Sequence, residues 1–382
     1  MGEVVQIVGG GTPDSSNADY WDGDIDWYTP SEIGERRSVE TSARKITPEG
    51  LVHSSARLLP AGSILFTSRA SIGLMAFISR PSATNQGFQS LVPSNNVDSN
   101  FLYALGPYIS RYAKKHAAGS TFIEISGSSL AKAPLRIPSL AEQRRIGEFF
   151  SALDGLIAAA ERQEDLLRQK KQAYLQLMFP REGETEPRLR FKGFSGQWHQ
   201  RQLGELYAPS REKNDGSFSA KDIISVAGMR YASREPADSS DDYMRTYNVM
   251  RVGDIAFEGH TSNEFAFGRF VENDLGDGIV SHVFVVLRPL PGRRYDLAFW
   301  KEAIHDELLM RRILARSTKR STMMHEIVVP DFLKETVRVP SLPEQLRIGD
   351  IFKTFDMLIT VSHQRVETLQ KAKSAYLQRM FL

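Results

Sequence analysis

The sequence predicts an α+β chain in which two α+β domains are separated by two long antiparallel coiled-coil helices, the whole forming a pseudo-twofold internal repeat. Three observations lead there: a gapless repeat, an apolar stripe of helical period through both copies, and short β-like runs in the segments between them.

Residues 137–180 and 339–382 align at an offset of 202 and are identical at 20 of 44 positions, among them Pro138/Pro340, Glu142/Glu344, Gln143/Gln345, Asp154/Asp356 and Tyr174/Tyr376. At the same offset Gly2-Glu3 maps onto Gly204-Glu205, and Ser120-Thr121 onto Thr322-Met323. A period this long marks a tandem domain pair, because solenoid repeats run at about 20–50 residues.

The elements follow in order. Residues 1–136 form a first domain, with a β-like run at 63–67 and a helical stretch at 101–116. Thr29-Pro30-Ser31-Glu32 reads as a helix start. Residues 137–180 form a long helix: Ser139 is a candidate N-cap with Glu142 at capping-box spacing, and Ile146, Phe150, Leu153, Ile157, Ala160, Leu167, Tyr174 and Met178 recur on one face. At about 39 residues such a helix is ~58 Å long, far beyond the globular mean of about 11–12 residues, which favours a coiled-coil spacer. Residues 181–198 are charged and rich in Gly and Pro, the composition of a linker. A second domain spans 199–338, with a β-like run at 283–287 and a helical stretch at 296–315. The second long helix, 339–382, repeats the stripe through Ile348, Phe352, Phe355, Ile359, Val366, Leu369, Tyr376 and Met380 after its own candidate cap, Ser341.

Composition sets further bounds. The chain has 382 residues, 41% hydrophobic and 25% charged, the mixture of an ordinary globular protein. Its net charge of +2 means that any basic surface is local. The absence of cysteine excludes disulfides, thiol nucleophiles and Cys-ligated metal. There is neither an 18-residue apolar run nor a signal-like N-terminus, so a cytoplasmic protein without a membrane span is expected. No Gly-Lys dipeptide occurs, hence no P-loop. No Pro-Pro dipeptide occurs, hence no Asx-Pro-Pro-aromatic element of amino-methyltransferases. No His-x3-His pair points to zinc. The expectation is a chain with no catalytic residues, no metal and no cofactor of its own.

The chain resembles the specificity subunits of type I restriction-modification systems along nearly its whole length. The resemblance is carried by Pro138-Ser139-Leu140-Ala141-Glu142-Gln143 with its copy Pro340-Ser341-Leu342-Pro343-Glu344-Gln345, and by Gly9-Gly10-Gly11-Thr12-Pro13, Trp27-Tyr28-Thr29-Pro30, Ala83-Thr84-Asn85-Gln86-Gly87-Phe88 and Gly119-Ser120-Thr121-Phe122. There are departures. Trp198 and Leu203 precede Gly204 without counterparts before Gly2, and the second domain lacks the Gly-Gly-Thr-Pro and Asn-Gln-Gly motifs. The resemblance implies two target-recognition domains, each reading one half of a bipartite site on double-stranded DNA. It further implies helices that set the gap and dock two modification subunits, which bring S-adenosylmethionine for adenine-N6 methylation. A restriction/translocase subunit would join that assembly.

Candidate DNA contacts combine basic helix ends with polar loops after apolar strands. In the first domain these are Arg69, Ser71, Asn85, Gln86, Lys114, Lys115, Ser120 and Thr121; in the second, His260, Thr261, Asn263, His282, Arg316, Lys319 and Arg320. Arginine pairs bidentately with guanine, Asn or Gln with adenine, and lysine neutralises phosphate. Candidate partner contacts are Glu142, Gln143 and Arg145, with Glu344, Gln345 and Arg347. Two other readings stay open at this point: a DNA-binding adaptor for some other machine, and a pure protein scaffold.

Overall fold

The computed structural model describes residues 1–34, 36–119, 123–232, 240–291, 296–321 and 324–381. They form two compact units, Met1–Arg162 with His363–Leu382, and Gln163–Ser362. Each unit holds one α+β domain, one stretch of the first long helix and one stretch of the second.

In the first unit a five-stranded sheet runs in the order Val5–Gly9, Gln89–Pro93, Ile64–Phe66, Met75–Ile78, Ser38–Val39. Its first four strands are antiparallel neighbours and the last pairs in parallel. The central strand is apolar without alternation because both its faces are covered. Ile64 and Phe66 pack with Phe101 and Ile109 of the helices, while Leu65 packs with Tyr28 and Phe88. The expected helix at 101–116 is two helices, Ser99–Ala104 and Gly106–His116. Pro107 explains the break, since a proline starts a helix but donates no N–H to continue one. Pro30–Glu32 is a short 3-10 helix whose Glu32 carboxylate accepts from the Thr29 N–H at 2.7 Å, as its sequence indicates.

The second unit repeats the order of the first four strands: Tyr207–Pro209, Val286–Pro289, Ile255–Glu258, Arg269–Glu272. The strand expected at 283–287 begins at Val286, because a turn from Phe284 N–H to the Ser281 carbonyl (3.0 Å) occupies the preceding residues. The stretch at 296–315 is again two helices, Leu297–His305 and Glu307–Ser317. Asp306 between them accepts the N–H groups of Leu308 and Leu309, at 2.8 and 3.3 Å, and so caps the second.

The long helices are Leu140–Met178 and Leu342–Phe381, of 39 and 40 residues. Within each unit their stretches run antiparallel. In the first unit Phe149 meets Tyr376 (5.1 Å), Asp154 Oδ1 meets Lys373 Nζ (2.6 Å) and Glu161 accepts from Gln370. In the second, Lys171 Nζ meets Asp356 Oδ1 (2.7 Å), Tyr174 meets Phe355 (5.4 Å) and Phe179 meets Phe352 (6.2 Å). Phe150, Leu153, Ile157 and Ala160 of the apolar stripe are buried, as are Ile348, Phe352, Ile359 and Val366. Tyr376 and Met380 are exposed at its end.

The same junction seats the start of each long helix on its own domain. Gln143 Oε1 accepts the Asp98 N–H at 3.0 Å while its Nε2 donates to the Pro138 carbonyl at 3.0 Å. Gln345 does likewise with the Asp296 N–H (3.1 Å) and the Pro340 carbonyl (3.0 Å). Asp98 and Asp296 in turn cap the helices that begin at Ser99 and Leu297. Close approach at this point requires glycine. A Cβ on Gly147 would lie 2.5 Å from Asp98 Oδ1, and one on Gly349 would lie 2.0 Å from Asp296 Oδ1.

Capping-box closure by the glutamates is not observed. The Glu142 N–H reaches Ser139 Oγ only at 3.4 Å and its side chain is exposed. Glu344 is buried and takes Arg190 bidentately, Nε to Oε1 at 2.6 Å and Nη2 to Oε2 at 2.8 Å, a stronger partner than an amide N–H. Residues 181–198 contain neither helix nor strand, yet Trp198 is buried between Phe179 and Phe299, with ring centroids 5.9 Å from each.

Gly349→Ala should cost about 1–3 kcal/mol, because the new methyl displaces a capping carboxylate inside a filled junction. Gly155→Ala, on an exposed helical position with nothing within 4 Å, should be neutral or gain up to about 1 kcal/mol. Urea denaturation of both variants checks the contrast.

Candidate nucleic-acid interface

In the first unit three sequence motifs from distant positions knit one corner. Gly11 N–H donates to the Thr84 carbonyl (2.9 Å), Trp27 Nε1 donates to the Gly11 carbonyl (2.8 Å), and Asn85 N–H donates to the Tyr28 carbonyl (3.0 Å). A Cβ on Gly10 would fall 2.0 Å from the Asn85 carbonyl oxygen, which is why the loop needs glycine there. Asn85 Oδ1 accepts the Gly87 N–H (2.8 Å), and Gln86 Oε1 accepts from Thr12 Oγ1 (2.6 Å). The Gln86 side chain is exposed.

Beside this corner lies the loop 67–74. Thr67 Oγ1 accepts the Leu74 N–H (2.9 Å) and donates to the Ser71 carbonyl (2.5 Å), so one hydroxyl closes the loop. Ala70 at its tip sits at φ 59°, in the left-handed region. Arg69 is half-buried in a β-bridge to Glu124, and Ser71 is exposed.

Lys114 and Lys115 lie exposed on the last turn of Gly106–His116, where cations are favoured. Beyond the helix the chain doubles back: Ala118 and Glu124 bridge through two hydrogen bonds, and the Ile125 N–H donates to the Ser68 carbonyl at 3.0 Å. Ser120 and Thr121 lie outside the described residues.

The second unit builds the same arrangement from unlike residues. After helix Glu307–Ser317, strand Thr318–Arg320 pairs with His325–Ile327, and the His325 N–H donates to the Gly259 carbonyl at 2.8 Å. This hairpin places exposed Lys319 and Arg320 beside the loop that follows strand Ile255–Glu258 and carries exposed His260, Thr261 and Asn263. Arg316 is also exposed and lies 3.8 Å from Glu335. His282 sits elsewhere, after strand Gly278–Val280, with its ring 6.3 Å from Tyr243. Sequence reasoning missed Glu124 and Glu258. Glu124 accepts from Ser68 Oγ at 3.2 Å across 56 residues, so no local signal announces it; Glu258, only two residues before His260, takes that residue's N–H at 3.1 Å.

The six candidate partner residues divide in two. Glu142, Arg145 and Arg347 are exposed. Gln143, Glu344 and Gln345 are buried, their polar atoms committed to the junctions and to Arg190. Among the described residues no group of three or more His, Asp or Glu is placed to hold a metal ion. No helix among them is long and apolar enough to cross a membrane.

Residues 1–169 match the family model of the type I restriction modification DNA specificity domain. The chain is thus similar to type I restriction-modification specificity subunits, with the family model confined to its first half. It is 37% identical over 169 residues to the MjaIX specificity subunit of Methanocaldococcus jannaschii, which covers 43% of this chain and 39% of that one. It is 33% identical over 186 residues to the EcoR124I/EcoR124II specificity subunit of Escherichia coli, covering 46% and 45%. The chain thus spans less than half the length of these two relatives. The EcoprrI specificity subunit of Escherichia coli aligns over 94% of this chain and 87% of its own length at 28% identity. The fold is shared with the S subunit from M. genitalium, at 14% identity and a TM-score of 0.58, covering 97% of this chain and 99% of that one. A chain from work on complex assembly and conformational transition of the type I R-M system matches at 16% identity and the same TM-score, covering 99% and 95%.

The second domain carries two unusual titratable groups, Glu272 on strand Arg269–Glu272 and His305 on helix Leu297–His305. Burial pushes the Glu272 carboxyl up to about 9, helped by neighbouring Asp274, and neither of its oxygens has a hydrogen-bond partner among the described residues. Burial pushes the His305 imidazole down to about 4, with Arg269 and Lys301 adding to the effect. From its ordinary value up to about 9, Glu272 keeps in the folded state a proton that the unfolded chain has released. Its contribution to stability therefore falls as pH rises through that window. His305 acts oppositely: its contribution rises with pH from about 4 to its ordinary value. Glu272→Gln should be more stable than the parent at pH 8 and nearly equal to it at pH 5, measured by urea denaturation at both pH values.

Proposed function

We propose that this chain is the non-catalytic DNA-recognition subunit of a type I restriction-modification enzyme, each domain reading one half of a bipartite double-stranded target. The observation that carries the reading is the repeated placement just described. In both units the arm returning from a basic helix end bonds a residue just past the apolar strand, Ser68 or Gly259. Phosphate-neutralising cations and base-reading loops thereby share one surface, which is the division of labour that DNA recognition needs. Arg69, Ser71 and Gln86 are the proposed readers in the first domain; His260, Thr261 and Asn263 are those in the second. Lys114, Lys115, Arg316, Lys319 and Arg320 serve phosphate. Asn85 and His282 are retained as proposed contacts. Ser120 and Thr121 remain proposed on the sequence.

The long helices are proposed to set the unread gap and to dock two modification subunits, which supply S-adenosylmethionine and the methyl transfer, with restriction/translocase subunits completing the enzyme. Support for docking comes from exposed Glu142, Arg145 and Arg347, with exposed Phe149, Leu156, Leu346, Met357 and Val361 on the same helices. The buried Gln143, Glu344 and Gln345 support docking indirectly, by holding the helices in place.

Lys319→Ala and Arg320→Ala should each weaken DNA binding roughly evenly across sequences. Each should also reduce the slope of log K against log salt by about 0.9, as measured by titration at several salt concentrations. Methylome sequencing of cells carrying this chain with its modification subunit tests the whole reading. A two-part motif lost on deleting this chain is expected, and exchanging residues 1–136 should alter one half only. Half-site centres about one helical turn apart, ~34–36 Å, are expected for two domains reading one face of B-DNA. Inserting a heptad in both long helices should then lengthen the gap by about three base pairs, ~10.5 Å against ~3.4 Å per pair.

A further inference from the structure

The repeat keeps one equivalent aspartate on each long helix, Asp154 and Asp356, and each is a three-way junction inside its own unit. Asp154 of the first helix takes Lys373 Nζ of the second helix at 2.6 Å and, from the recognition domain, the Arg37 guanidinium. Asp356 of the second helix takes Lys171 Nζ of the first at 2.7 Å and, from its recognition domain, Lys301 Nζ at 3.6 Å. Lys171 and Lys373 are themselves repeat equivalents at the offset of 202. The domain-side cation is not: Arg37 immediately precedes the edge strand Ser38–Val39 of its sheet, whereas Lys301 lies on helix Leu297–His305. Two divergent domains thus reach the same carboxylate by different routes.

The Arg37 guanidinium is held firmly. It donates to Asn100 Oδ1 at 2.6 Å and lies over the Tyr103 and Phe77 rings at 4.5 and 5.1 Å. The domain already touches the helix at Gly147 and Gln143 through Asp98. One such contact leaves a pivot; a second, two helical turns on at Asp154, removes rotation about it. The far side of a domain of 136 residues lies about 28 Å from such a pivot, twice a radius of gyration of about 14 Å, so a rotation of about 7° moves it by one base-pair rise of ~3.4 Å.

We propose that Asp154 and Asp356 are positioning residues that fix the angle of each recognition domain on its helices, and with it the gap length that the subunit accepts. This rests on the specificity-subunit reading above. Lys171 serves the same junction from the other side, where it also pairs with Glu302 Oε1 at 2.8 Å.

The test is methylome sequencing of cells expressing the modification subunit with the parent chain, Asp154→Asn, Asp154→Glu or Arg37→Met. With Asp154→Asn, methylation is expected at sites whose half-sequences are unchanged but whose gap is one base pair longer or shorter, with at least a tenfold loss of gap discrimination. Asp154→Glu should restore a single gap. Arg37→Met, which leaves the helix-to-helix pair intact, should relax the gap in the same way, and it carries the test should Asp154→Asn accumulate poorly. A single unchanged gap in Asp154→Asn and Arg37→Met, with methylation merely reduced at every site, overturns the positioning role and leaves the specificity-subunit reading standing. A parent chain that yields no two-part motif overturns that reading, and this inference with it.

Discussion

A buried glutamine amide at the root of each long helix is the contact on which the rest of the molecule depends. Gln143 and Gln345 bridge the backbone just before their own helix and the N-cap of a domain helix. Both polar ends of the amide are satisfied by backbone partners in a buried site, so the contact is directional and costly to lose. Glycine four residues on, Gly147 or Gly349, lets the cap approach within the radius of a methyl group. Everything downstream takes its bearing from this point: the seam between the helix stretches, the aspartate junctions and the height at which the domain sheet sits.

Buried charge is used unequally by the two units. In the second, Glu344 is buried against Arg190; in the first, its equivalent Glu142 is exposed. Breaking a buried pair strands a charge at a cost of about 3–5 kcal/mol, whereas an exposed pair is worth about 0–1 kcal/mol. The pair therefore ties the largely exposed segment 181–198 to the second unit at Arg190, although its composition is that of a solvated linker. Trp198, buried between two phenylalanine rings, acts in the same direction through area removed from water.

The two α+β domains show how one topology tolerates divergence. Their sheets share strand order, and in both the arm returning from the basic helix reaches the same backbone position. Main-chain hydrogen bonds carry these contacts, and main-chain groups are present whatever the side chains are. The loops so positioned are free to differ: Arg69, Ala70 and Ser71 in one domain, His260, Thr261 and Asn263 in the other. A scaffold held by backbone bonds, with variable side chains at its rim, suits the proposed reading in which each half faces its own DNA sequence.

By itself, the sequence determined the two-halved α+β architecture, the long helices and the stretches of polar and basic residues. These are legible because periodicity and duplication are local or gapless properties of the chain. The breaks at Pro107 and Asp306 within the expected single helices lie in the sequence as well, through a missing N–H and a capping carboxylate. The tertiary structure alone decided which polar residues face outward. Gln143, Gln345 and Glu344 carry the same side chains as surface residues do, and only the approach of Asp98, Asp296 and Arg190 from distant positions buries them. It alone joined the basic helix ends to the loops after the apolar strands, through Ser68 with Ile125 and Gly259 with His325. Contacts between residues dozens of positions apart depend on how the whole chain folds, and no local pattern of amino acids encodes them.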